Sequence, residues 1–358
     1  MDNFVILEYI WLDSNNNFRS KTKVMTDDTY TNLPIWNYDG SSTGQAEGSD
    51  SEVFLKPTVT FCDPFRRHEK CYLVWCDMID KYGNALPNSN RNKALNIFNK
   101  YKNEEAWFGL EQEYFIIDPK TKHPVDFNIM KPQGEYYCGV GVNNAICRQL
   151  PETHLEHCLY AGINICGLNA EVAPSQWEYQ IGPCSDIEAG DHLWVSRYIL
   201  NRIAENLGYE ISYHPKPLGE LADWNGSGCH TNFSTKELRD ENGIQSIYKA
   251  INRLSKNHFY HMVYYGKDNK LRLSGRHETS SYDKFTFGRA NRNASIRIPN
   301  SVLSEMKGYF EDRRPAANCD PYLVTSLILE TCMNPEFDVE KVPKSSSFEN
   351  LAELGYIV

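Results

Sequence analysis

Long apolar runs, an excess of basic residues and closely spaced cysteines are all missing from this 358-residue sequence. No apolar run reaches the roughly 18 residues of a membrane-spanning helix, so no membrane partner is expected. The formal net charge of −10 argues against a nucleic-acid partner, because phosphates require a basic surface. The sequence opens with an acid, Asp2, and lacks the basic segment of a secretion signal, which predicts a cytoplasmic protein.

Cysteine and glycine spacings exclude further classes. The eleven cysteines include no CxxC pair, so neither a disulfide framework nor a zinc motif is indicated, and reduced thiols are expected. The phosphate loops GxGxxG and GxxxxGKS/T are absent as well. A doubly wound nucleotide-binding fold is therefore not expected.

The apolar content of 41% is sufficient for a large core, and the length suggests two domains. The first, residues 1–85, contains the β-rich segments FVILEYIWL, KTKVM, VFLKPTVTF and CYLVWCDMI, separated by polar clusters. The polar stretch YGNALPNSN at 82–90 is the predicted linker, and Ser89 or Asn90 is predicted to cap a helix after it. The second domain then covers residues 86–358.

The second domain mixes strands and helices irregularly, which predicts an α+β fold with a mainly antiparallel sheet. The patterns place strands near 107–117, 163–172, 177–182, 209–214, 229–234, 294–299 and 308–312, and helices near 143–162, 186–207, 244–262 and 320–333.

Two glutamates stand in the apolar stretch GLEQEYFI at 109–116. Because side chains alternate along a strand, Glu111 and Glu113 share one face. That face is either wet or neutralised by a cation, since like charges repel in a low-dielectric site. The fragment alone leaves both alternatives open.

More polar residues stand in similarly apolar or glycine-rich surroundings: Glu171, Glu178, His230 and Glu311. Each alone is typical of a strand end or of a satisfied core group. Five carboxylates and one imidazole in strand-like segments together predict a site for hard divalent cations. Oxygen-rich ligand sets favour Mg²⁺ or Mn²⁺ over Zn²⁺.

Arginines supply the opposite charge between residues 271 and 315. A planar guanidinium suits carboxylate and phosphate groups, although solvated surface arginines are the alternative interpretation. Metals with arginines predict metal-assisted phosphoryl transfer, with metal-assisted hydrolysis as the competitor. The arginines are Arg272, Arg276, Arg289, Arg292, Arg297, Arg313 and Arg314.

Two loop-like stretches complete the pattern. The glycines of WNGSGCHTNFS at 224–234 allow backbone amides to approach a ligand closely. The stretch WNYDGSSTGQAEGSDSE at 36–52 has turn composition, and a surface loop is its default interpretation.

Seven motifs resemble the eukaryotic-type (class II) glutamine synthetases, in order and at that family's spacing, between about residues 8 and 333. They are WNYDGSSTGQAEGSDSE, WFGLEQEY, NAEVAPSQWEYQIGP, WNGSGCHTNFST, LSGRHETS, ANRNASIRIP and GYFEDRRPAANCDPY. The resemblance implies a small N-terminal β-grasp domain and a larger catalytic domain with a curved, mainly antiparallel sheet and flanking helices. It also implies a homo-oligomer, usually a decamer of two stacked pentameric rings, with active sites between neighbouring subunits.

The implied reaction joins ammonium to L-glutamate through a γ-glutamyl phosphate, with ATP as co-substrate and two or three Mg²⁺ or Mn²⁺ ions per site. By resemblance, one metal is held by Glu111, His230 and Glu311, and another by Glu113, Glu171 and Glu178. Substrate binding is implied for Asn225, Gly226, Arg272, Arg292 and Arg313. ATP binding is implied for Trp107, Pro183, Ser234, Arg297 and Tyr309.

The resemblance assigns amidation to three further residues beside Arg292. Asp39 and Ser42, from the neighbouring subunit, are implied to bind ammonium, and Glu278 of RHETS is implied to close a flap over the site and accept a proton. Closure keeps water away from the acyl phosphate.

Two departures from the family pattern touch no metal ligand. Leu271 stands where many relatives have a second arginine, and Arg289 replaces a small or apolar residue. Two alternatives are a γ-glutamyl ligase that uses another amine, against which Asp39 and Ser42 argue, and a non-catalytic structural relative. The second would have lost metal ligands, and all six are present.

Overall fold

A computed structural model of the chain describes residues 4–26, 32–127, 133–219 and 223–335. The N-terminal strands are β1 Phe4–Leu12, β2 Phe18–Thr26, β3 Trp36–Asp39, β4 Glu52–Cys62 and β5 Cys71–Ile79. They form one sheet in the order β2-β1-β5-β4-β3, in which β1 and β5 pair in parallel and the other neighbours are antiparallel. This is the β-grasp architecture that the resemblance implies.

Both faces of β1 are buried, and they face different cores. Leu7 and Tyr9 pack into the small domain's own apolar cluster, while Ile10 joins the large cluster of the rest of the chain. On β5, Trp75 stacks on Trp194 with ring centroids 6.2 Å apart. The small sheet is thus packed against the larger domain by alternate residues of the same strands.

The segment 36–52 differs from the predicted surface loop at its start. Its first four residues form β3, which pairs with β4. Tyr38 is buried and its ring lies 4.8 Å from that of Trp11. The turn-forming residues that follow hid this short aromatic alternation, because they dominate the composition of the segment.

The larger sheet has the order β11-β12-β13-β10-β6-β8-β7, with β9 paired to the far end of β6. All neighbours are antiparallel except β11 and β12, so the prediction of a mainly antiparallel sheet is confirmed. The strands are β6 Trp107–Ile117, β7 Ile165–Ala170, β8 Gln176–Ser185, β9 Glu210–Ser212, β10 Cys229–Ser234, β11 Phe287–Arg289, β12 Ile296–Ile298 and β13 Phe310–Asp312.

Nine α-helices lie within the described ranges, and none of them is long and apolar enough to cross a membrane. They are α1 Asn90–Lys100, α2 Gln149–Ala161, α3 Glu188–Leu207, α4 Lys236–Arg239, α5 Ile244–Lys256, α6 His258–Tyr264, α7 Asn269–Arg272, α8 Asn300–Glu305 and α9 Pro321–Met333. The predicted domain division near residue 85 falls between the end of β5 and the start of α1.

Three local predictions about helices need correction, the first only in part. Ser89 stands at the N-cap position of α1, as predicted, but its side chain makes no capping hydrogen bond, because its hydroxyl donates to Asp77 at 3.4 Å. The helix predicted from 143 begins at Gln149, since Cys147 has a φ of 58° that an α-helix does not allow. The helix predicted over 244–262 is divided into α5 and α6 at Asn257, whose side-chain amide donates back to the carbonyl of Arg253.

The central strand β6 separates the core from an open face. On the core side, Gln112 is fully buried, and its side-chain oxygen Oε1 accepts two hydrogen bonds from Arg197 of α3, at 2.8 and 2.6 Å. Arg197 also donates to the carbonyls of Ala317 and Cys319, both at 2.9 Å. Glu111 and Glu113 therefore point to the other side of the sheet, where the candidate site lies.

Candidate active site

The first group of predicted ligands lies where β6, β10 and β13 run side by side. His230 on β10 is directly opposite Glu111 on β6. His230 Nδ1 lies 3.4 Å from Glu111 Oε2 and 3.5 Å from Glu311 Oε1. Ligand atoms of the three residues all lie within 4.8 Å of one another, a spacing that one metal ion could bridge.

A second group lies beside the first, on β6 and β8. Glu113 is directly opposite Glu178, and His230 completes a group whose ligand atoms again lie within 4.8 Å of one another. Glu171 follows the end of β7, where its carboxylate accepts a hydrogen bond of 3.0 Å from the side chain of Asn169. Glu171 lines the same cavity as the other acids.

The carboxylates of the second group are hard to ionise in the metal-free chain. Burial raises the pKa of Glu113 to about 7, although Arg272 and the Gly228 amide oppose this rise. Burial and the neighbouring Glu113 raise the pKa of Glu171 to about 8. The pKa of Glu178 is also raised well above its usual value, by burial and then by the three nearby carboxylates. The nearby positive charge is thus too small to keep all three carboxylates ionised, and a divalent cation fits such a donor set.

His230 is held in its neutral form. Burial, together with the nearby Arg313, lowers its pKa well below the usual value, so its contacts with carboxylates are not ion pairs. A neutral imidazole is the form that binds a metal ion. The donor chemistry of both groups therefore suits the predicted ions.

Arginines form another part of the cavity wall, in direct contact with the predicted ligands. Arg297 and Arg313 each donate to Glu311, at 2.8 and 2.6 Å. Arg272 is buried against His230, with Nη2 and Nε2 2.9 Å apart, and burial lowers the pKa of Arg272 to about 10. Arg292 lies 3.3 Å from Glu278. All four arginines line the cavity.

The remaining arginines do not belong to this wall, which corrects the prediction for the group of seven. Arg314 is fully buried in a core ion pair with Asp312, because adjacent residues point to opposite sides of the chain and only Arg313 faces the cavity. Arg276 is exposed and pairs with Asp223. Arg289 lies exposed on β11, and Leu271 is exposed outside the cavity lining.

The glycine-rich loop brings its backbone against the site. Asn225 and Gly226 line the cavity, and the amide of Gly228 donates to Glu113 at 2.7 Å. A Cβ on Gly228 would lie 2.4 Å from Nη2 of Arg272 and 2.9 Å from Nε2 of His230. Only glycine permits this close approach.

Two adjoining cavities share Glu111. The first, of about 590 Å³, is lined by the acids, His230 and the arginines. The second, of about 910 Å³, is mostly apolar, and four residues predicted to bind ATP line it: Trp107, Pro183, Ser234 and Tyr309. The fifth, Arg297, lines the first cavity. An apolar pocket thus opens beside a charged one, as a nucleotide with its phosphates requires.

Asp39 and Ser42 lie outside both cavities of their own chain. Asp39 ends β3 of the small sheet and Ser42 lies in the short 3-10 helix that follows, where its hydroxyl donates to Asp39 at 2.5 Å. Hydrogen bonds from Ser41 and Ser42 lower the pKa of Asp39 to about 2, so this exposed carboxylate stays charged. Their predicted action in a neighbouring chain remains a prediction.

Sequence reasoning missed several residues of the site. Tyr137, Asn169, His277 and Thr279 line the charged cavity, and the guanidinium of Arg239 lies 3.8 Å from the ring centroid of Trp107 in the apolar pocket. Asn169 could have been found, because it stands two residues before Glu171. The others come from loops and from a short helix, which carry no alternation.

Comparisons with known proteins agree on one family. The family model for the glutamine synthetase β-grasp domain matches residues 3–81, and that for the glutamine synthetase catalytic domain matches residues 86–263. A putative glutamine synthetase of Acanthamoeba polyphaga mimivirus is 52% identical, over 91% of this chain and 93% of the relative. The glutamine synthetase of Saccharomyces cerevisiae is 50% identical, over 91% of this chain and 89% of its own.

A solved structure supports the fold. The complex of GmaS with ADP superposes with a TM-score of 0.72 and 17% identity, over 98% of this chain and 83% of that one. Its low identity limits this likeness to architecture, whereas the curated relatives are half identical over nearly the whole chain. The chain belongs to the glutamine synthetase family, the ligases that use ATP to make glutamine from glutamate and ammonia.

Proposed function

We propose that the charged cavity makes L-glutamine from L-glutamate and ammonium through a γ-glutamyl phosphate, with ATP from the adjoining apolar pocket. The observation that carries this proposal is that Glu111 lines both the charged cavity and the apolar pocket. The charged cavity is lined by the five carboxylates and the imidazole of the two ligand groups and by four arginines, and it meets the apolar pocket at Glu111.

Two or three Mg²⁺ or Mn²⁺ ions fit the acidic groups. Glu111, His230 and Glu311 would hold one ion, and Glu113, Glu171 and Glu178 another. When bound, the ions would neutralise the charge of the ATP phosphates and of the glutamate side chain. The raised pKa values of Glu113 and Glu171 support this proposal, because bound cations would supply the positive charge that these buried carboxyl groups need in order to ionise.

The chain's own residues then orient the two substrates. Asn225, Gly226 and Arg272 hold glutamate, whose side-chain carboxylate oxygen attacks the γ-phosphorus of ATP and releases ADP. Arg292, Arg297 and Arg313 offer guanidinium groups to the transferred phosphoryl group. In the structure Arg297 and Arg313 are paired with Glu311, so the phosphate would share these donors with that carboxylate.

Amidation needs a cation site and a base. We propose that Asp39 with Ser42, from a neighbouring copy of the chain, binds ammonium, since the low pKa of Asp39 keeps it negative. Glu278 would accept the proton that ammonium loses, and the resulting ammonia would displace phosphate from the acyl carbon. A shared site requires a homo-oligomer, and the decamer of two pentameric rings and a cytoplasmic location belong to the proposal.

To test this proposal, the protein is incubated with ATP and glutamate, with ammonia in one arm and methylamine or a polyamine in the other. The formation of glutamine, ADP and phosphate is measured. Glutamine formation that depends on Mg²⁺ or Mn²⁺ supports the proposal. A product formed with an amine but not with ammonia would instead support a γ-glutamyl–amine ligase. No turnover with any of these acceptors, by protein of verified assembly, would support a structural relative.

A matched pair of variants tests the metal assignment. Glu113→Ala is expected to lose activity and keep its fold, because the ligand set loses one carboxylate while the apolar core is unchanged and only the Gly228 amide loses a hydrogen-bond acceptor. Glu210→Ala removes an equally charged group from a surface pair with Lys122 and is expected to retain activity. Unchanged turnover of Glu113→Ala would remove Glu113 from the ligand set.

A further inference from the structure

One carboxylate outside the cavity joins the glycine-rich loop to the segment that carries Glu278. Asp223 Oδ1 lies 2.7 Å from His277 Nε2, and Asp223 Oδ2 accepts a hydrogen bond of 3.1 Å from Arg276 Nη1. We define the flap as residues 274–279. Asp223 thus uses both of its oxygens on two adjacent flap residues.

The loop that carries Asp223 is held in place by its own contacts. Trp224, the neighbour of Asp223, is buried in an apolar cluster with Phe127 packed against it. Gln133 contacts the same loop twice: its amide donates to the carbonyl of Asp223 at 3.2 Å, and its carbonyl accepts from the amide of Asn225 at 2.7 Å. The loop that carries Asp223 therefore also places Asn225 in the cavity wall.

The flap has an unfavourable backbone conformation at the point where Asp223 holds it. His277 and Glu278 have φ values of 54° and 57°, in the left-handed region that residues with side chains rarely adopt. Two successive residues in that region need contacts that keep them there. The His277 contact with Asp223 is at this position.

A second set of flap contacts lies inside the cavity. Arg313 donates to the carbonyl of Glu278 at 3.3 Å, and Arg292 lies 3.3 Å from the Glu278 carboxylate. Anionic substrates compete for both of these arginines. Asp223 itself lies outside the cavity lining, so its carboxylate stays available to the flap when substrates occupy the arginines.

We propose that Asp223 is a positioning residue that ties the flap to the substrate loop and so holds Glu278 over the cavity. The inference rests on the proposed function, in which Glu278 accepts the ammonium proton and shields the acyl phosphate. Because Asn225 and Asp223 share one loop, an ordered substrate loop and a closed flap support each other.

The first test measures phosphate released per glutamine formed, and the KM for glutamate. Asp223→Ala is expected to raise both, by up to about tenfold for two partly exposed charged contacts. Asp223→Asn keeps one acceptor oxygen for His277 and is expected to recover part of the loss. Glu210→Ala, which removes an exposed ion pair far from the flap, is the matched control and is expected to change neither quantity.

A double-mutant cycle separates the contact from general damage. His277→Ala is expected to show part of the Asp223→Ala loss, because the Arg276 contact with Asp223 remains, and the double variant is expected to be no worse than Asp223→Ala alone, since that substitution already removes the His277 contact. Independent, additive losses would overturn the assignment.

A second readout does not depend on ligase activity. Trypsin cleaves after Arg276, and the metal-free, substrate-free Asp223→Ala protein is expected to be cut there severalfold faster than wild type and Glu210→Ala. Equal cleavage rates would overturn the proposal. Faster cleavage with an unchanged phosphate-to-glutamine ratio would also overturn it, because Glu278 would then be positioned without Asp223. If wild type forms no glutamine, the ligase proposal fails, and the trypsin comparison alone decides whether Asp223 holds the flap.

Discussion

Replacing Glu113 by glutamine is predicted to stabilise the metal-free chain and to remove the stabilisation that comes from a metal ion in the group of Glu113, Glu171 and Glu178. Glu113 is 6% exposed, and its carboxylate accepts the amide of Gly228. Glutamine has the same shape and retains one acceptor oxygen for that amide. The substitution therefore removes a buried charge without opening a cavity.

The magnitude follows from the pKa of Glu113. Burial raises it from 4.5 to about 7, and at about 1.36 kcal/mol per pKa unit the folded chain pays about 3 kcal/mol to keep this group ionised. The folded pKa is above the unfolded value, so this stability is present below pH 4.5 and is lost as the pH rises through about 7. Wild type and Glu113→Gln should differ by less than about 1 kcal/mol near pH 5 and by up to about 3 kcal/mol at pH 8, about 4 °C in Tm for a chain of this length.

Thermal unfolding of both proteins at pH 5 and pH 8, at one protein concentration, with a chelator or with excess Mg²⁺, measures this effect. Magnesium should raise the Tm of wild type at pH 8 and have a much smaller effect on the variant. Glu210→Gln serves as the control for the loss of one surface charge. A metal-free variant less stable than wild type at pH 8, or equal stabilisation of both by magnesium, would refute the reasoning.

Three further outcomes are expected. Glu278→Ala should still form the acyl phosphate but release more phosphate than glutamine at saturating ammonia, and a ratio near one would exclude its gating role. Inactive Asp39→Ala mixed with inactive Arg292→Ala should regain activity, because mixed rings contain some intact sites; no recovery after verified subunit exchange would place both residues in one chain's pocket. Arg197→Met should destabilise the fold by about 3–5 kcal/mol, measured by thermal unfolding, because it leaves the side-chain oxygen of Gln112 and the carbonyl of Cys319 without a donor and removes one of the two donors to the carbonyl of Ala317.

The strands that carry the predicted metal ligands Glu111, Glu113 and His230 could be predicted well from the sequence. The predicted ranges 107–117 and 229–234 coincide with β6 and β10, because alternation of polar and apolar residues is a local signal. The shared face of Glu111 and Glu113 follows from the same period. Sequence reasoning left open whether this face was wet or held cations, and burial of Glu113 now favours the second alternative.

What failed depends on contacts between distant parts of the chain. Arg313 and Arg314 are equivalent in a sequence, but only the register of β13 directs the first into the cavity and the second to Asp312. Ser89 is a residue type that often caps helices through its side chain, but here its hydroxyl donates a hydrogen bond to Asp77. Asp223 gave no signal, since its partners stand more than fifty residues later in the chain.

The tight contact at Gly228 means that no other amino acid fits at this position. Even the single methyl group of alanine would disturb more of the site than its size suggests. A methyl group there would meet the guanidinium of Arg272 at 2.4 Å, and the rest of that side chain is buried, so it has little space in which to move away. Gly228→Ala would thus behave as an arginine mutation, shifting a positive charge away from His230 and Glu113 without changing the net charge of the chain.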